Sequence, residues 1–320
     1  MRRRELLTFA SAAAVVPLRA ASAQPAPPAG RSASAPSGRT ERANREPTGP
    51  RSLRTGRVLP PIGLGTWLTF DVATDDADAL NARREVLRRF FAAGGGLVDS
   101  SPMYGRAEQV LGELLPSVPQ DGRLISETKV WTPFDTLGPV QIGRSLQRWG
   151  VPRFDVLLVH NLLNWRAHLK TLRQARDAGR TALIGVSTSH GNHAELVAQV
   201  LRSEPIDVLQ ITYNLADDRA EPLLELAAER GVTTVINRPF DGGQLFGRVN
   251  GRALPAWAGE LDCISWAALF LKWVIAHPAV GCAIPATRDP DHLDQNMAAG
   301  RGRLPDAAQR RRIHTLVNGF

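Results

Sequence analysis

The chain has 320 residues, 43% of them hydrophobic and 22% charged, with 39 Lys+Arg against 31 Asp+Glu for a formal charge of +8. This is the composition of a folded globular protein, and it excludes a bulk disordered chain, a collagen and a multi-span membrane protein. The length holds one large α/β domain or two smaller ones.

The N-terminus reads as an address. Residues 1–23 are MRRRELLTFASAAAVVPLRAASA, with a basic start at Arg2, Arg3 and Arg4 and a small-residue cleavage pattern at Ala21-Ser22-Ala23. The apolar stretch from Leu6 to Leu18, about 13 residues, is too short to span a bilayer as a helix, so stable membrane insertion is not expected. Arg3-Arg4 followed by Leu6-Leu7 resembles a twin-arginine export signal. The resemblance implies the twin-arginine machinery as a partner, cleavage near Ala23 and a periplasmic destination. That route carries folded proteins, often with a cofactor already loaded.

Residues 24–50 are rich in Pro, Ser, Ala, Gly and Arg and read as a disordered linker, because they offer too little apolar surface to offset chain entropy. The first fifty residues contain eight Arg, no Lys and three Glu, a surplus of five, which leaves a surplus of only three for residues 51–320. No aromatics are interleaved with the linker arginines for base stacking, so no nucleic-acid partner is expected. Cys263 and Cys282 have neither metal nor redox spacing and read as two thiols in or near the core, with one bridge open to an exported protein.

From residue 51 short apolar runs alternate with amphipathic segments. Ser52–Val58, with Thr55-Gly56 as its turn, reads as a hairpin that caps one end of the fold. Strands are expected at Ile62–Thr66, Leu97–Ser100, Leu124–Lys129, Val156–His160, Ala182–Ser187, Val208–Thr212, Thr233–Asn237 and Val280–Pro285. Helical periodicity fills Asp76–Ala93, Glu108–Leu115, Pro139–Gly150, Arg166–Ala178, Ala194–Leu201, Glu221–Arg230 and Ile264–His277. Glycines 94, 150, 179 and 231 stand where a helix C-cap needs positive φ. Eight such units in about 250 residues match a (β/α)8 TIM barrel in the α/β class. The competing open doubly wound sheet is disfavoured, because Gly63-Leu64-Gly65-Thr66 does not complete a dinucleotide fingerprint.

In such barrels chemistry gathers at the C-terminal ends of the strands. There the sequence places Asp99, Lys129, His160, Ser187 and Gln210, with Tyr104 in the loop after Asp99. Lysine and tyrosine are scarce, at three and two residues in the whole chain, so Lys129 inside a strand calls for a reason. A buried lysine beside a carboxylate stays protonated, and a nearby phenol is then drawn toward neutrality and becomes a general acid. Neutral imidazole can orient a carbonyl. Tyr213 reads as core or wall, and His190 and His193 as surface residues at a helix start.

Residues 51–320 resemble the aldo/keto reductase superfamily. The resemblance is carried in order by PPIGLGTW, GLVDSSPMYGRAEQVLGELL, LISETKVW, DVLLVHN, IGVSTSH, DVLQITYN, INRPFDGGQLFG and AIPATRDPDHLDQN. It implies a tetrad in which Tyr104 protonates a carbonyl oxygen, Lys129 tunes Tyr104, Asp99 pairs with Lys129 and His160 orients the substrate. It also implies a small-molecule aldehyde or ketone substrate and hydride from NADP(H).

For the cofactor, the resemblance implies Thr66 and Trp67 near the nicotinamide ribose, and Ser187 and Gln210 on the carboxamide. Thr188 departs from the usual Asn or Arg. Asn237 stands where an aromatic or small residue is usual, so it supplies no aromatic stack, and Arg238-Pro239-Phe240 replaces a Ser-Pro-Leu turn. Arg238 could reach the ring or the pyrophosphate, and the Asp241–Leu245 loop, ending at Leu245, offers backbone amides to phosphate. The 2′-phosphate site falls on Thr287, Arg288, His292, Gln295 and Asn296, with Ala286 where many members carry lysine. Trp131, Phe134, Trp165 and Trp257 are candidates for an apolar pocket wall. Two other classes stay open: an exported, cofactor-loaded barrel serving as a redox sensor or binding subunit, and a metal-dependent hydrolase or isomerase using Asp99, Glu127 and His160.

Overall fold

The computed structural model describes residues 51–320; the expected export signal at 1–23 and linker at 24–50 lie outside the described residues. Two short antiparallel strands open the fold, β1 (Arg51–Ser52) and β2 (Val58–Leu59), paired Arg51 to Leu59 and Ser52 to Val58. Eight parallel strands follow: β3 (Leu64–Gly65), β4 (Leu97–Asp99), β5 (Ile125–Val130), β6 (Phe154–Val159), β7 (Thr181–Ser187), β8 (Val208–Thr212), β9 (Thr233–Asn237) and β10 (Cys282–Ala283). They lie side by side in chain order. Parallel bridges from Ile62 to Ala283 and from Gly65 to Ala286 close the first strand onto the last. The result is the expected (β/α)8 TIM barrel.

Period-two alternation decides what the barrel encloses. Along the strands one face reads Leu97, Asp99; Ile125, Glu127, Lys129; Val156, Leu158; Leu183, Gly185, Ser187; and Val208, Gln210, Thr212. The apolar members near the strand starts form one buried cluster with Leu53 and Leu59 of the hairpin, which closes the bottom of the lumen. Arg57 holds the hairpin there by donating to the carbonyls of Leu124 (2.8 Å) and Gly122 (3.0 Å) and to Asp155. The polar members crowd the opposite end. On the outer face Val98, Leu157, Ile184, Leu209 and Ile236 join the larger core beneath the helices.

The helices are α1 (Ala77–Ala92), α2 (Ala107–Leu114), α3 (Gly138–Trp149), α4 (Trp165–Asp177), α5 (Ala194–Ser203), α6 (Glu221–Glu229), α7 (Gln244–Arg248), α8 (Trp266–Ile275), α9 (Pro290–Ala298) and α10 (Ala307–Asn318). Seven coincide with the expected segments to within about two residues, the usual scatter of helix ends. The four glycines expected at C-caps have φ of 90°, 65°, 72° and 67°. Three helices have no counterpart in the periodicity, namely α7, α9 and α10. In α10 only Ile313 and Val317 are buried, too thin a stripe to show as a pattern. Both α9 and α10 announce themselves by caps instead: Asp289 accepts from the Asp291 and His292 amides, and Asp306 forms a capping box with Gln309. Among the described residues no helix is long and apolar enough to cross a membrane. Cys263 and Cys282 are free and buried.

Candidate active site

Three strand ends and the loop after the first of them bring the tetrad together. Asp99 closes β4, Lys129 is the penultimate residue of β5, and His160 directly follows β6. All three are at least 95% buried. Tyr104 sits in the β4–α2 loop, whose path is set locally. Ser100 N continues the ladder to the Glu127 carbonyl (2.9 Å), and Tyr104 N turns back to the Ser101 carbonyl (2.9 Å). Gly105 then takes φ +59°, and a Cβ there would lie 2.3 Å from the Asp71 carboxylate that caps Arg106 N. Only glycine fits that corner.

Lys129 Nζ donates to Asp99 Oδ1 and to the Ser100 carbonyl (2.8 Å). It lies 5.1 Å from the centre of the Tyr104 ring, which meets the His160 ring edge-on at 5.7 Å. Thr66 Oγ1 contacts the Asp99 carbonyl and Ser100 Oγ, both at 2.9 Å. Ser101 Oγ accepts from Met103 N (3.3 Å), so its own hydrogen is free for His160 Nδ1 at 2.8 Å. With the hydroxyl donating to Nδ1, the proton of the neutral ring sits on Nε2, as a donor toward the cavity.

The charges settle as follows. Burial opposes the Lys129 ammonium, but Asp99 and its neighbours outweigh it and the pKa ends above the ordinary lysine value. Burial, with Lys129 adding to it, holds His160 well below its usual 6.5, so the ring is neutral. Tyr104 does not move toward neutrality as expected: burial pushes it up to about 12 against the pull of Lys129. The Lys129 ammonium pulls the other way, but the Asp99 carboxylate offsets part of that pull and burial outweighs the rest. Tyr104 therefore keeps its proton, which is the form a proton donor needs.

In the sequence Glu127 stands out only as a ligand for the metal-dependent alternative. It is fully buried below Lys129, and its Oε1 accepts from Gln210 Nε2 at 2.6 Å. Burial and the Asp99 carboxylate raise its pKa well above the carboxylate range. Asp99 is engaged by Lys129 and Gln210, and Glu127 by Gln210, and among the described residues no group of three or more His, Cys, Asp or Glu could hold a metal ion.

Above the tetrad opens a cavity of about 470 Å³. Thr66, Trp67, Gln210, Arg238, Pro239 and Phe240 line it, together with Tyr104 and His160. Ser187 lies just beneath, buried, with its Oγ accepting from Asn161 N at 3.4 Å. Leu245 points into the core and its neighbour Phe246 reaches the wall instead. This follows from the local structure: Asp241–Gly243 is a single 3-10 turn leading into α7, rather than an open loop, and Leu245 is on its inner side. Thr287, Arg288, His292, Gln295 and Asn296 all lie past Ala286, which is on the cavity rim: Thr287 and Arg288 lead into α9, His292 is in its first turn, and Gln295 and Asn296 are in its second half. Arg288 and His292 are exposed, and Thr287 and Asn296 are buried. His190 and His193 are both exposed, as expected, and His190 also borders the cavity. Trp131 and Phe134 line a second hollow of about 380 Å³ on the flank, Trp165 is buried, and Trp257 lies under Arg312.

Residues 61–314 match the aldo/keto reductase family. The chain is 26% identical over 258 residues to an aldo-keto reductase of Mycobacterium sp. (strain KMS), covering 77% of this chain and 85% of that one. The fold superposes on an aldo/keto reductase from Klebsiella pneumoniae, solved in complex with NADP and acetate, with a TM-score of 0.70, 23% identity and coverage of 83% and 94%. It also superposes on an aldo-keto reductase from Bacillus halodurans, solved in its holo form, with a TM-score of 0.67, 19% identity and coverage of 83% and 95%. The family match spans every barrel strand and all four residues of the cluster, and the chain belongs to the aldo/keto reductase family of oxidoreductases.

Proposed function

We propose that the protein reduces an aldehyde or ketone to an alcohol with NADP(H), using Tyr104 as the proton donor. One observation carries this: a protonated phenol, a neutral imidazole donor and a compensated Lys129–Asp99 pair converge on the floor of one cavity. The residues present suit a nicotinamide nucleotide. Arg238 Nε is buried without a hydrogen-bond partner, Gly242 and Gly243 take positive φ beside it, and Gln210 presents an amide to the cavity. Arg288 and Thr287 would hold the 2′-phosphate.

When bound, the cofactor supplies the hydride. His160 Nε2–H and the Tyr104 hydroxyl hold the carbonyl oxygen between them. Tyr104 passes its proton to that oxygen as negative charge builds there, and Lys129 stabilises the phenolate left behind. Asp99 keeps Lys129 charged and aimed. A carbonyl, NADPH and one proton are consumed, and an alcohol and NADP⁺ result.

Tyr104→Phe tests this directly: NADPH should still bind, seen as a fluorescence change, while turnover drops by at least about a hundredfold, as for loss of a general acid. Turnover near the wild-type rate would refute the assignment. The Arg3-Arg4 motif supports export by the twin-arginine route, for which replacement of both by Lys should leave the protein in the cytoplasmic fraction; unchanged export would exclude that route.

A further inference from the structure

One buried acid in the lumen takes no part in the steps above. Glu127 lies two residues before Lys129 on β5, so its side chain enters the lumen on the same face, one layer lower. Strand pairing sets it opposite Asp99. The Lys129 ammonium is directed at Asp99 and the Ser100 carbonyl. The donor that reaches Glu127 comes from across the barrel, from Gln210 on β8.

Gln210 carries both its amide hydrogens on one nitrogen. One goes to Asp99 Oδ1 (2.9 Å) and the other to Glu127 Oε1 (2.6 Å). An amide held by two acceptors cannot turn over without losing both bonds. Its nitrogen is thereby fixed toward the lumen, and its oxygen is the end left for the cavity that Gln210 lines. The protein contact of that oxygen is a long one, Asn237 Nδ2 at 3.5 Å, so a lone pair remains for a ligand.

We propose that Glu127 is a positioning residue for the cofactor: it fixes the Gln210 amide with its oxygen toward the cavity, as an acceptor for an incoming carboxamide –NH2. The proposal rests on the NADP(H) reading above. Glu127 does this as a neutral acid. Burial, and then the Asp99 carboxylate opposite it, hold the Glu127 carboxyl well above the ordinary carboxylate range. Glu127 Oε2 is buried with no hydrogen-bond partner, which penalises the charged form.

The test compares Glu127→Gln and Glu127→Leu with wild type by NADPH fluorescence titration, circular-dichroism melting, and a cofactor-free infrared difference spectrum of wild type minus Glu127→Gln. Glutamine can accept from Gln210 without charge, so Glu127→Gln should bind NADPH as wild type does. Leucine fills the space but accepts nothing, and should weaken NADPH binding about fivefold to tenfold, the loss of roughly one net hydrogen bond. The difference spectrum should show the C=O stretch of a protonated carboxyl. Three results overturn the proposal: a natively melting Glu127→Leu with unchanged affinity, a Glu127→Gln that binds as poorly as Glu127→Leu, or no protonated-carboxyl band. If Glu127→Leu does not fold, the affinity of Glu127→Gln and the infrared band decide. Failure of NADPH to bind wild-type protein would sink the NADP(H) reading itself, whereas normal binding with an indifferent Glu127→Leu sinks only the role of Glu127.

Discussion

Replacing Lys129 by Met leaves Asp99 without its ammonium partner in a site where the aspartate is only 3% exposed. Breaking a buried pair from one side costs about 3–5 kcal/mol. The structure sets a ceiling on that cost. Asp99 keeps one Gln210 donor (2.9 Å), and it can also escape by taking up a proton. Protonating a carboxyl of ordinary pKa near 3.9 costs ~4 kcal/mol at pH 7 and ~1.4 kcal/mol less for each unit of acidification. The loss of stability in Lys129→Met should therefore be about 4 kcal/mol at pH 7 and about 1.5 kcal/mol at pH 5. Urea denaturation at the two pH values measures it. The double variant Asp99→Asn/Lys129→Met removes both charges and should recover most of the loss at pH 7 while remaining inactive, since Tyr104 then lacks the cation that stabilises its phenolate. The reasoning fails if Lys129→Met is as stable as wild type at pH 7, if its deficit does not shrink on acidification, or if the double variant is no better than the single one.

Three further outcomes follow from the same geometry. Ser101→Ala removes the partner that leaves the His160 proton on Nε2, so KM for the carbonyl should rise about tenfold with NADPH affinity unchanged, and Ser101→Thr should restore it; a KM that stays put in Ser101→Ala contradicts the tautomer argument. His160 refuses in the folded protein a proton that the unfolded chain accepts near pH 6.5, so stability should fall as pH drops below that value, by up to ~1.4 kcal/mol per unit, and His160→Asn should flatten this limb. Glu127 acts with the opposite sign. The folded protein keeps a proton that the unfolded chain loses near pH 4.5, so this contribution is full below 4.5 and is lost as pH rises toward the folded value, and Glu127→Gln should gain stability relative to wild type with rising pH. Parallel pH–stability curves for either variant and wild type would refute the corresponding assignment.

The sequence by itself determined the barrel and the gathering of Asp99, Tyr104, Lys129 and His160 at one end of it. Strand runs of period two and helices of period 3.6 are local patterns, and a (β/α)8 barrel stacks them in chain order, so the position of Asp99, Lys129 and His160 at strand ends already implied convergence. The scarcity of lysine made Lys129 conspicuous. What only the tertiary structure decided are the relations across the barrel. Helices α9 and α10 each bury only two apolar residues, Leu293 and Met297 in one and Ile313 and Val317 in the other, too few to show as periodicity. The choice of Phe246 over Leu245 for the cavity wall depends on a 3-10 turn that sets the phase of a five-residue helix. The link from Gln210 to Glu127 joins residues 83 positions apart. The proton on Tyr104 is kept because burial exceeds the pull of an ammonium that Asp99 partly offsets. Desolvation and charge compensation are properties of an enclosed volume, and no window of sequence contains that volume.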